Sequence, residues 1–142
     1  MVAQCPCGLA RDYARCCGRY HAGAVRLDAP TPEALMRSRY SAYVLSLREY
    51  VLDTWHASTR PAKLERFDSG VKWLGLTVKR AWTTSPGEGF VEFAARSKAP
   101  GGGRAQRLEE LSRFVCVGGR WQYVDAVHAD HCRYIKERDL KP

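Results

Sequence analysis

Four of the six cysteines of this 142-residue chain fall within its first seventeen positions, as Cys5, Cys7, Cys16 and Cys17 in a C-x-C-x8-C-C array. Two short cysteine pairs joined by one turn of chain can bring four thiolates to tetrahedral separation, so the array predicts a zinc knuckle at residues 1–22. Four sulfurs satisfy Zn²⁺ completely, which marks a structural rather than a catalytic ion. Disulfides are the rival reading. The adjacent Cys16 and Cys17 cannot bridge each other without severe strain and a C-x-C pair is similarly awkward, although pairing across the loop stays open. Met1-Val2-Ala3-Gln4 offers no basic or apolar leader before the cysteines. A reducing, cytoplasmic location is therefore expected. His21 could replace one sulfur; its plainer reading is a solvated loop imidazole.

The chain has room for one ordinary domain beside this appendage, and 45% hydrophobic residues can supply its core. No apolar run approaches the ~20 residues of a membrane helix, so no membrane insertion is expected. The formal charge of +8 falls to about +6 once four thiolates hold a divalent ion. A basic balance suits RNA, ribosomal or acidic protein surfaces. Arg11, Arg15 and Arg19 flank the cysteines, where they offset the anionic site and favour deprotonated ligands.

Residues 23–31 read as a connector, and residues 32–142 as the main domain. Thr31 is suited to cap a helix with Pro32 at its first position and Glu33 in its first turn. Leu35, Met36, Tyr40, Tyr43, Val44 and Leu47 then recur at three-and-four spacing, predicting an amphipathic helix over 32–47. A further helical stretch is expected over Leu47 to Trp55, with the break near Ser46 to Arg48, and a short helical piece over Ala62 to Phe67. The pattern then turns to alternation. Strands are expected over Trp73 to Trp82, Phe90 to Arg96, Leu108 to Val117 and Arg120 to Val127, with turns at Pro86-Gly87, at Pro100 to Gly103 and, tightest, at Gly118-Gly119. Helices followed by about four antiparallel strands give an α+β plan in which a curved sheet wraps the long helix.

Cys5-Pro6-Cys7-Gly8 and Cys16-Cys17-Gly18 resemble the SEC-C motif, the zinc-binding tail best known from the preprotein translocase motor SecA. Together with Leu35 to Tyr43, Thr54-Trp55-His56, Trp73-Leu74-Gly75-Leu76 and Ser112-Arg113-Phe114, they resemble the bacterial YchJ family over essentially the whole chain. The resemblance implies a SEC-C knuckle on a nuclear-transport-factor-two-like cone, a fold that hosts enzymes as well as binding and dimerising domains. Two departures stand out. Family members often carry a second SEC-C motif near the carboxyl end, where this sequence has only Cys132. Many SEC-C motifs also place Ser-Gly-Lys-Lys after the first cysteine pair, where Leu9-Ala10-Arg11-Asp12 follows Gly8 here. The missing lysines weaken any carry-over of SecA's partner binding and leave zinc ligation untouched.

A cone interior is the default place for a ligand. Asp53 and His56, three apart beside Trp55, could set a general base against an aromatic wall, with Asp125 a further proton carrier. Glu92, Arg96, Glu110, Arg113 and Tyr123 fall on strands where some must face inward. The plain alternative for these charges is cross-strand ion pairing on a solvated face. No Ser-His-Asp order, phosphate loop or helical H-E-x-x-H occurs. His128, Asp130, His131 and Cys132 form a weaker second group of metal ligands. Cys116 reads as a buried small hydrophobe. Trp55, Trp73, Trp82 and Trp121 could stack bases but fit a cone core better. The expected function is a structural-zinc adaptor that contacts a protein or ribosomal partner, with the cone as a second binding or homodimer surface. A cavity-based small-molecule enzyme or binder, and non-specific RNA binding, are the alternatives.

Overall fold

Thr31 opens the long helix as its sequence demands: its side chain accepts the Ala34 N–H at 3.0 Å, Pro32 takes the first position and Glu33 stands in the first turn. The computed structural model describes residues 3–64, 70–101 and 103–127. In it a 3₁₀ turn at Tyr13–Arg15 is followed by helices α1 (Gly18–His21), α2 (Pro32–Val44) and α3 (Arg48–Asp53), then by strands β1 (Lys72–Ser85), β2 (Glu88–Lys98), β3 (Gln106–Val117) and β4 (Arg120–Val127).

Helix α2 ends three residues before the expected Leu47. Ser46 adopts φ 58°, its N–H reaches the Tyr43 carbonyl at 3.4 Å and the Leu47 N–H reaches the Ala42 carbonyl at 2.8 Å. This Schellman closure satisfies the last carbonyls and turns the chain into α3. Ala62 to Leu64 are not helical, and the rest of the helical piece expected there lies outside the described residues.

The four strands form a sheet in the order β1-β2-β3-β4, every neighbour antiparallel. Gly118 at φ 58° and Gly119 at φ 81° make the tight β3–β4 turn, whose left-handed pair matches the strand twist. The first three strands outrun their expected ends because tight turns let the ladders continue to the loops. Register shifts near Gly75, Arg80 and Ser85 on β1, and between Arg113 and Phe114 on β3, add twist locally and curve the sheet.

Register places Phe93 opposite Glu110 and Val91 opposite Ser112 on the face toward α2, where Leu35, Met36 and Tyr40 meet Val91, Phe93, Ala95 and Phe114 in the core. The expected amphipathic α2 is corrected by its surroundings. Ser38, Arg39 and Ser41 are buried too, because α1, α3 and the cysteine segment cover the two serines while Arg39 reaches between α3 and β4. On the opposite sheet face Arg80 pairs with Glu92 at 3.1 Å, and Arg113 with Asp125 and Glu88 at 3.4 Å each. Cys116 is half-buried rather than buried. No helix among the described residues is long and apolar enough to cross a membrane.

Candidate metal site and the cone interior

The cysteine segment closes on itself through its backbone. The Cys5 N–H reaches the Arg11 carbonyl at 2.8 Å, the Tyr13 N–H reaches the Ala3 carbonyl at 2.9 Å, and the Cys16 N–H reaches the Tyr13 carbonyl at 3.0 Å. Gly8 (φ 92°) and Ala10 (φ 53°) make the tip between them. The result brings the sulfurs of Cys5, Cys7, Cys16 and Cys17 within 4.8 Å of one another, all four residues buried. A tetrahedral ion with Zn–S bonds of about 2.3 Å holds its ligands about 3.8 Å apart. The Cys7 and Cys16 sulfurs stand at 3.5 Å, so the donor set fits a metal ion with little adjustment. All five described cysteines are free thiols, and none of the disulfide pairings forms among them.

The packed sulfurs share protons. Hydrogen bonding, chiefly from Cys17, lowers the Cys7 thiol to about 5, while burial and then the bond to Cys7 push Cys16 up to about 11. Cys17 is raised as well, first by its bond to Cys7 and then by burial. A cation among the four sulfurs takes over the part those protons play.

The knuckle is bolted to the cone. Arg37 donates through Nη1 to the Cys7 carbonyl at 2.8 Å while its Nε pairs with Glu33 at 3.0 Å. The Cys5 sulfur lies 3.6 Å from Ser41 Oγ. His21, read from sequence as a loop imidazole or a stand-in ligand, is neither. It is buried, its Nε2 donates to the Ser38 carbonyl at 2.8 Å, and its Nδ1 accepts from the Tyr13 hydroxyl at 2.5 Å. Its ring packs edge-on against Tyr50 at 4.6 Å. Burial lowers its pKa, which suits a neutral imidazole bridging knuckle and helix.

A second feature lies inside the cone: a cavity of about 290 Å³ between α2 and the inner sheet face, lined largely by apolar side chains together with Arg39, Glu110, Ser112 and Tyr123. Glu110 accepts from the Ser112 hydroxyl at 2.5 Å, and burial raises its carboxyl pKa. Burial likewise pushes the Tyr123 hydroxyl above its ordinary value.

His56, Asp53 and Asp125 do not line this cavity. Asp53 is exposed and paired with Arg26 at 2.9 Å, His56 Nδ1 meets Ser58 Oγ at 2.7 Å, and Asp125 pairs with Arg113. The Thr54-Trp55-His56 stretch instead bonds to β4, His56 N–H to the Tyr123 carbonyl at 2.7 Å. Glu92 and Arg113 sit in outer-face ion pairs and Arg96 is exposed. Of the wider strand group, Glu110 and Tyr123 reach the interior. His128, Asp130, His131 and Cys132 lie outside the described residues. The residue that sequence reading passed over is Arg39. Its signal was present: it stands three after Met36, four after Leu35 and four before Tyr43, so a charge occupies the apolar stripe.

A cysteine knuckle seated on a helix-filled curved sheet defines a SEC-C motif joined to an NTF2-like domain. Residues 3–19 match the SEC-C motif and residues 31–126 match the family described as "YchJ, middle NTF2-like domain". The chain belongs to the YchJ family. It is 54% identical over 123 residues to a UPF0225 protein of Bordetella parapertussis, covering 87% of this chain and 91% of that one. A UPF0225 protein of Methylibium petroleiphilum is 57% identical over 121 residues, covering 85% of each. The solution structure of a SEC-C motif containing protein from Rhodopseudomonas palustris superposes with a TM-score of 0.71 at 33% identity, covering 87% of this chain and 97% of that one. A SEC-C motif containing protein from Psychrobacter arcticus gives 0.65 at 30% identity, covering 86% and 80%.

Proposed function

We propose that this protein is a zinc-dependent cytoplasmic adaptor, whose knuckle carries one structural Zn²⁺ on Cys5, Cys7, Cys16 and Cys17 and presents a basic surface to an acidic protein or ribosomal partner. The observation that carries the reading is the closed set of four buried thiols within 4.8 Å, since such a site leaves no coordination position for chemistry. Thiol ligation also requires a compartment that keeps cysteine reduced. Arg11, Arg15 and Arg19 are exposed around the site, while Arg37 and His21 fix the knuckle to the cone, so a partner meets both as one surface.

Elemental analysis of protein purified without added metal should return about one zinc per chain, and C16S/C17S should release it. Unchanged stoichiometry in that variant, or a different resident metal, sinks the assignment. Reversing the three exposed arginines together should abolish co-sedimentation with ribosomes, or capture of an acidic protein partner, without loss of zinc. Retained binding would show that the basic surface is not the contact.

RNA contact finds less support. Trp73 packs edge-on to Tyr40, Trp55 to Tyr123, and Trp82 stacks on Phe90, with Trp121 against the core, so none is a free stacking platform. Binding through charge alone should fall steeply with salt.

A further inference from the structure

Arg39 is 4% exposed and lines the interior cavity. Its Nη1 donates to the Val51 carbonyl and to Thr54 Oγ1, each at 2.7 Å. Its guanidinium lies over the rings of Trp55 and Tyr123, 5.1 and 4.5 Å from their centroids. Among the described residues no carboxylate stands within ion-pair distance of it, and its Nε and Nη2 make no hydrogen bond. A buried cation without a counter-ion is strongly unfavourable, and aromatic faces replace only part of its hydration. The chain nevertheless holds this side chain rigidly, with one edge of the guanidinium engaged and the Nε–Nη2 edge left over.

That edge is the planar fork that grips a carboxylate through two parallel hydrogen bonds. The rest of the cavity wall is predominantly apolar, drawn from Met36, Tyr40, Trp73, Phe93 and Leu108. At about 290 Å³ the space lies at the small end of ligand pockets and suits a ring-sized body. A phosphate group would demand further cations or converging amides, and Arg39 is the cation on this lining. Glu110, the acidic group on the wall, accepts the Ser112 hydroxyl at 2.5 Å and makes no ion pair with Arg39, so its charge reaches the guanidinium only at longer range and leaves the Nε–Nη2 edge unoccupied. Leu108 lines the cavity yet is 50% exposed, which puts it at the mouth.

We propose that the cone interior binds a small monocarboxylic acid with an apolar body, its carboxylate held by Arg39 and its body by the aromatic and aliphatic wall. The site is separate from the knuckle and does not depend on which metal sits there.

The test is calorimetry and thermal shift on the full metal-loaded chain, with benzoate, phenylacetate and hexanoate as probes and benzamide and benzylamine as the neutral and cationic controls. At least one acid should bind with a millimolar or tighter constant, and the controls should bind about tenfold more weakly or worse. R39M, shown folded by circular dichroism, should lose the acid. L108W, at the exposed mouth, should also lose it by closing the entrance, and it decides the matter if R39M does not fold. The proposal is overturned if none of the three acids binds, if the controls bind equally well, or if binding survives L108W or a folded R39M.

Discussion

At Gly18 a single added carbon would stand 2.7 Å from the Tyr13 carbonyl oxygen and 3.0 Å from the Tyr13 ring. That oxygen cannot yield cheaply, because it accepts the Cys16 N–H and so helps place one sulfur of the candidate metal site. Gly18→Ala should therefore cost roughly 1–3 kcal/mol, read as a lower urea midpoint, and should loosen metal retention in competition with a chelator. Glu110 gives the second prediction at this scale. Burial raises its folded pKa above the unfolded value, so the fold favours the neutral acid. Its full stability is present below the unfolded carboxylate pKa and is lost as pH rises toward the folded pKa. Glu110→Gln should then be more stable than the native chain at neutral pH, and the two stabilities should converge in acid. A constant difference across pH, measured by denaturant unfolding, would contradict that assignment. The gathering of Cys5, Cys7, Cys16 and Cys17 was readable because their spacing permits it. Arg39 was readable only as a charge on the apolar stripe of its helix; its place in a cavity beside Trp55 and Tyr123 depends on α3 and β4.

At the scale of elements, the α2–α3 corner turns on one strained position. Ser46 carries a side chain at φ 58°, a conformation that glycine enters without steric penalty. Ser46→Gly should stabilise the chain by up to about 1 kcal/mol, seen as a higher unfolding midpoint. A loss of stability would mean that the greater freedom of glycine in the unfolded chain outweighs the relief. The break itself could be read from the sequence near Ser46, whereas the end of α2 could not. Leu47 continues the helical spacing, yet its N–H closes the motif on Ala42. The Gly118-Gly119 turn and β4 were readable together, because two adjacent glycines between alternating strands permit a left-handed pair.

For the whole molecule the question is how many knuckles one particle presents. The knuckle is fixed to α2 through Arg37, His21 and the contact of Cys5 with Ser41. Two copies related by a two-fold axis would hold two knuckles at a fixed separation, and such bivalence raises apparent affinity for a repeated partner by roughly 10²-fold. We propose a homodimer that meets through the sheet, and expect light scattering at micromolar concentration to give about twice the 16.0 kDa of one chain. A mass near 16.0 kDa would rule that arrangement out.

By itself the sequence determined the local chemistry: four thiols at knuckle spacing, a capped helix start, alternating strands and glycine turns, each set by neighbours a few residues away. The α+β plan followed from those patterns, and the resemblance of the motifs to a known family implied the rest. Tertiary structure decided what lies between elements. It turned His21 from a loop imidazole into a buried strut, buried the serine side of α2 beneath the knuckle, kept Asp53, His56 and Asp125 out of the interior, and left Arg39 in a largely apolar cavity without an ion-pair partner among the described residues. Those outcomes depend on burial and on partners far apart in the chain. Periodicity reports which face of an element is apolar, but the identity of what packs against it is fixed only when the sheet closes around the helix.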